Sequence, residues 1–170
     1  SYDDINPYVF ADPIAPHLAA RDKATSISIE RISAAYTRLG GGHRFVVVEG
    51  VGGWLAPLGD NLTQADLVHA LKLPVILVVG MRLGCINHAL LTAHAIAADG
   101  CRLIGWIANR MDPSMLRFED NIESIKQRIQ APLLGIMEYA ENAQAPIHRD
   151  DLDSAVEMLM EREHDTSHSE

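Results

Sequence analysis

The chain reads as an α/β domain with a doubly wound, mostly parallel sheet, and three features of its pattern point there. Residues 45–48 (FVVV), 74–79 (PVILVV) and 103–108 (LIGWIA) are continuous apolar runs of strand length, the pattern of strands buried on both faces. Apolar residues at helical spacing fill the stretches between them. Glycine or proline marks the junctions. Short buried strands alternating with helices imply a parallel sheet with helices on both faces.

The elements follow in order. Residues 1–25 carry Pro7, Pro13 and Pro16 and read as extended chain with room for a short helical turn. Ile29, Ile32, Tyr36 and Leu39 then recur at helical spacing, with Ser26 or Ser28 as cap and Gly40, Gly41 and Gly42 as the stop. After FVVV, residues 63–71 form a short helix with Ala65, Leu67, Val68 and Leu71 on its buried side. PVILVV is the second strand, 80–84 a turn, and 86–99 a helix closed by Gly100. LIGWIA is the third strand. Ile122, Ile125 and Ile129 mark a helix ended by Pro132, and Leu133 and Leu134 open a fourth strand. Leu152, Ala155, Met158 and Leu159 line a last helix. The expected organisation is one α/β domain over residues 1–150, then a terminal helix and acidic tail over 151–170.

Bulk properties narrow the partners. A net charge of −9 offers no basic stripe for a phosphate backbone, which argues against nucleic acid. The apolar runs are far too short to span a bilayer. Cys85 and Cys101 lack the spacing of a disulfide framework, so a reduced, cytoplasmic protein is expected.

The chemistry gathers where strands end. Glu49 closes FVVV and opens into Gly50, Val51, Gly52 and Gly53. In open α/β sheets ligands bind at that edge. A carboxylate beside a glycine turn suits a cation next to phosphate oxygens, since glycines let main-chain N–H groups approach an anion. It equally suits an acid that caps a turn. Gly84, Cys85, Ile86, Asn87 and His88 open a helix whose first N–H groups could seat a carboxylate or phosphate, or could simply be capped. Asn109 ends the third strand; it can offer a base such as adenine a donor and an acceptor together, or close a turn. Cys85 and His88 have no second ligand pair, so zinc is not read there.

Together these stretches resemble dethiobiotin synthetase, an ATP-dependent family of biotin biosynthesis. The likeness is carried by INPYVFADPIAPHLAA (5–20), VVVEGVGGWLAPL (46–58), LPVILVVGMRLGCINHALLTA (73–93), GWIANR (105–110) and APLLG (131–135). It runs over residues 5–142. LGCINHALLTA is highly specific, whereas EGxGG is shared with cobyrinate-type amidotransferases, the runner-up enzyme. A non-catalytic dimerising or ligand-binding remnant of the family is a further alternative.

The resemblance implies a P-loop-type fold, a homodimer, and a ligase reaction that uses 7,8-diaminopelargonate, CO₂ and MgATP. It implies that Glu49 is a Mg²⁺ ligand and that Gly50, Val51 and Gly52 lie at the phosphates of ATP. Asn109 and Arg110, with Met137, Glu138 and Tyr139, fall at its base. Gly53, Leu83, Gly84, Cys85, Ile86 and Asn87 fall at the substrate, whose carboxylate is received across the dimer interface. One departure is local: the family's I-P-[WY]-L reads Ile136-Met137-Glu138-Tyr139 here, placing a charge where apolar contact is expected. The other is larger. No G-x-x-x-x-G-K-[ST] run occurs in these residues. The phosphate loop, the lysine acting on the amines and a second magnesium carboxylate are therefore expected in an amino-terminal part not contained here. No catalytic residue is assigned within the 170, which are expected to be inactive alone.

Overall fold

The computed structural model describes residues 1–43 and 45–140, and the chain divides into two units, Ser1–Leu73 and Pro74–Glu170. The helix expected near Leu152 lies outside the described residues.

In the first unit, the expected extended start contains α1 (Tyr2–Ile5) and α2 (Pro16–Asp22). Pro16 is no obstacle at the first turn of α2, where its missing N–H would be unsatisfied anyway. α3 (Ile29–Gly40) begins as expected at Ser28, whose Oγ accepts from the Arg31 amide at 3.4 Å. α1 packs on α3, with Arg38 Nε donating to Asp4 Oδ1 at 2.7 Å. β1 (Pro57–Gly59) and β2 (Leu62–Thr63) form a small antiparallel hairpin that has no periodicity to announce it. α4 (Gln64–Leu71) starts on a capping box between Thr63 and Asp66 and buries Gln64, Ala65 and Leu67.

One expectation fails in this unit. Residues 45–50 form no strand, and Phe45 and Val47 are 54% and 92% exposed. An apolar run states a preference for burial, but a ladder also needs a neighbour whose N–H and C=O groups meet its own. Neither sheet among the described residues includes these residues as a strand.

The second unit holds a parallel sheet in the order β3 (Val75–Met81), β4 (Leu103–Arg110), β5 (Leu133–Met137). The β3–β4 crossover is α5 (Cys85–Ala98), and the β4–β5 crossover contains α6 (Phe118–Lys126). α5 starts at Gly84 (φ 95°) and its last turn gives way at Gly100 (φ 71°). Only glycine enters that backbone region at low cost. One sheet face is well packed: Val79, Met81, Trp106 and Ala108 meet Cys85 and Ala89 of α5 and Phe118, Ile122 and Ile125 of α6. Burial on both faces, expected of PVILVV, is corrected here. Burial alternates along β3, with Ile76 38% and Val78 54% exposed.

Candidate functional site

In the first unit, the turn after Glu49 is shaped by its own packing. Gly52 and Gly53 have φ of 75° and 108°. A Cβ on Gly50 would come within 3.2 Å of Gln64 Nε2, whose side chain is buried. The turn is then tied down as Ala56 N–H donates to the Gly53 carbonyl at 3.0 Å and Ala65 N–H to the Trp54 carbonyl at 3.0 Å. Conformation and close packing thus account for all three glycines. The Glu49 carboxylate is exposed and makes no hydrogen bond or ion pair with a described residue. Val51 is 52% exposed beside it. A carboxylate that no described residue engages is open to a ligand.

Among the described residues no three His, Cys, Asp or Glu side chains stand together in a way that could hold a metal. Glu49 could therefore be one protein oxygen of a Mg²⁺ whose remaining ligands come from phosphate and water, which is how Mg²⁺ commonly meets nucleotides.

In the second unit, the parallel register lines up Gly80, Asn109 and Met137 across the carboxyl end of β3, β4 and β5. This row is the edge where open sheets bind ligands. Asn109 is half-buried and its Nδ2 donates to Met111 Sδ at 3.4 Å. Arg110 and Glu138 are brought together, Nη1 to Oε2 at 3.1 Å. Arg110 Nη2 also donates to the Pro113 carbonyl at 3.3 Å, and its guanidinium lies 4.5 Å from the Phe118 ring centroid. Asp112 closes the same loop: hydrogen bonds from the Ser114 hydroxyl and amide hold its carboxyl below the usual range. Tyr139 is 44% exposed.

No side chain caps the start of α5. The Cys85 amide is spent on the Arg82 carbonyl at 2.9 Å, and its thiol is buried in the core. Cys85 can therefore meet a ligand neither through sulfur nor freely through its N–H. Leu83 is 98% exposed, Asn87 exposed and Ile86 half-buried. A cleft of about 310 Å³ borders this turn, lined by Gly80, Arg82, His88, Thr92 and Met111 among others. His88 belongs to the helix start read from sequence as an anion seat, whereas Arg82 was not singled out there; its flanking of the specific LGCIN run was the available signal.

Residues 1–146 match a family model described as an AAA domain. The chain is 54% identical over 145 residues to "ATP-dependent dethiobiotin synthetase BioD" of Xanthomonas oryzae pv. oryzae (strain PXO99A), covering 85% of this chain and 65% of that one. It is 56% identical over 144 residues to the protein so named in Xanthomonas campestris pv. campestris (strain ATCC 33913), covering 85% and 64%. A third, from Aromatoleum aromaticum, is 55% identical over 141 residues, covering 83% and 63%. The expected resemblance is borne out. The chain spans 63–65% of the length of these relatives. Among the described residues no helix is long and apolar enough to cross a membrane.

Proposed function

The chain belongs to the AAA domain family, a P-loop NTPase-type domain, and we propose that it is part of an ATP-dependent dethiobiotin synthetase acting in biotin biosynthesis. The observation that carries this reading is the 54–56% identity to relatives of that name over 85% of the chain. One amine of 7,8-diaminopelargonate adds to CO₂ and loses a proton, giving a carbamate. A carbamate oxygen takes the γ-phosphoryl group of ATP, releasing ADP. The second amine attacks the carbonyl carbon of this mixed anhydride, closes the ureido ring and expels phosphate. Such chemistry asks for positioning and charge neutralisation rather than a protein nucleophile.

The residues divide the work accordingly. Glu49 offers an oxygen to the Mg²⁺ that enters with ATP, and the main chain of Gly50, Val51 and Gly52 faces phosphate. When bound, Mg²⁺ would offset the negative charge of the phosphate oxygens, with Glu49 as the residue that would hold it. Asn109, Met137 and Tyr139 receive the adenine base. Leu83, Gly84, Ile86 and Asn87 serve the substrate, and the uncapped start of α5 suits its carboxylate. That carboxylate comes from the partner subunit's substrate in a homodimer, and the protein works in the cytoplasm.

A chimera tests the reading. Residues 1–146 replace the matching segment of the Xanthomonas campestris relative, and dethiobiotin is measured by mass spectrometry with MgATP, bicarbonate and 7,8-diaminopelargonate. Turnover is expected, with residues 1–170 alone silent. Glu49→Gln in the chimera should lower kcat/KM on the order of a hundredfold without unfolding it, since the side chain is exposed. A folded chimera that makes no dethiobiotin overturns the assignment.

A further inference from the structure

We propose that Arg110 and Glu138 form a positioning clamp for the nucleotide base, setting where Asn109 and the 137–139 turn stand, rather than touching the nucleotide themselves; this rests on the ATP-dependent reading above. The guanidinium is committed in three directions, to Glu138, to the Pro113 carbonyl and to the face of Phe118. Phe118 is only 3% exposed, so the platform under the cation is fixed. A planar guanidinium held at several points is a poor candidate to swing onto a ligand. Glu138 is the exposed member, 67% against 25% for Arg110, so the anchored cation holds the carboxylate in place.

An ion pair so open to solvent adds little to stability. Its place in the fold gives it another use. The contact joins the residue after Asn109 to the residue after Met137, and Asn109 and Met137 are register partners on neighbouring strands. One pair therefore fixes both edges of the strip on which the base would lie. It also neutralises a carboxylate that would otherwise repel a polyanionic nucleotide. Neither role is visible from Arg110 or Glu138 taken singly.

The chimera described above supplies the test, with ATP and 7,8-diaminopelargonate varied separately. Arg110→Met and Glu138→Gln should each raise KM for ATP about three- to tenfold, with kcat and KM for the diamine moving far less. The double variant should be no worse than Arg110→Met alone, because the two act as a unit. Arg110→Lys should recover part of the loss. Additive effects, or a lowered melting temperature with unchanged KM for ATP, would overturn the clamp. A chimera that binds ATP yet makes no dethiobiotin strikes the functional reading alone; ATP dissociation constants of the same variants then decide the clamp. A folded chimera that binds no ATP overturns both.

Discussion

Leu134 on β5 closes over Gly105 on β4 so tightly that a Cβ on Gly105 would stand 2.5 Å from Leu134 Cδ1 and from Cγ. Leu134 is 5% exposed and the clash involves its branch point, so a rotamer change offers no easy escape. Gly105→Ala should destabilise by about 1–3 kcal/mol, the range for overpacking a filled core. Urea unfolding reads it. Adding Leu134→Ala should cost less than the sum of the two single changes, because the second opens room for the first.

Trp106 is fully buried beneath α5 and α6, and its indole Nε1 has no hydrogen-bond partner among the described residues. Trp106→Ala should cost about 3–5 kcal/mol. Trp106→Phe should cost less than half as much, since it keeps most of the ring and removes an unsatisfied donor. Equal losses for both would show that the indole nitrogen is satisfied.

The Thr63–Asp66 capping box carries a pH signature. The Thr63 hydroxyl and amide donate to the Asp66 carboxylate at 2.6 and 2.7 Å and hold its pKa below the ordinary 3.8. A depressed carboxyl stabilises the fold above its unfolded value, and that contribution is lost as pH falls from 3.8 through the folded value. Asp66 is exposed, so the effect is at the low end for a cap, about 0.5–1 kcal/mol. Asp66→Asn should lower the melting temperature at pH 7, and the difference from the parent should shrink as pH falls below 3.8.

Gly84 adopts φ 95° at the start of α5 with nothing within 4 Å of where a Cβ would stand. Any cost of Gly84→Ala is then purely backbone, roughly 1–2 kcal/mol. Gly84→Asn should cost less, because Asn tolerates left-handed conformations better. Thermal melts of the three proteins rank them directly.

Much of this architecture was legible in the residues. Ser28 and Thr63 begin helices because their hydroxyls satisfy first-turn amides, a local rule readable without the fold. Gly84 and Gly100 bracket α5 because they enter backbone regions costly to other residues. PVILVV and LIGWIA became parallel neighbours, and LGCINHALLTA pointed to the family that the relatives share. Such features are short-range, so the one-dimensional pattern contains their cause.

What needed three dimensions was every question of partnership. FVVV has the composition of a strand, yet strand formation depends on a neighbour's free N–H and C=O groups, and residues 45–50 are a strand of neither described sheet. Three glycines after Glu49 looked like a phosphate turn; their conformations and the buried Gln64 account for them structurally as well. Arg110 and Glu138 lie 28 residues apart, and only the register of β4 on β5 brings their charges to 3.1 Å. Helical caps and turn glycines act over a few residues and are written in order along the chain, whereas a contact between distant side chains exists only once packing has chosen which strands adjoin.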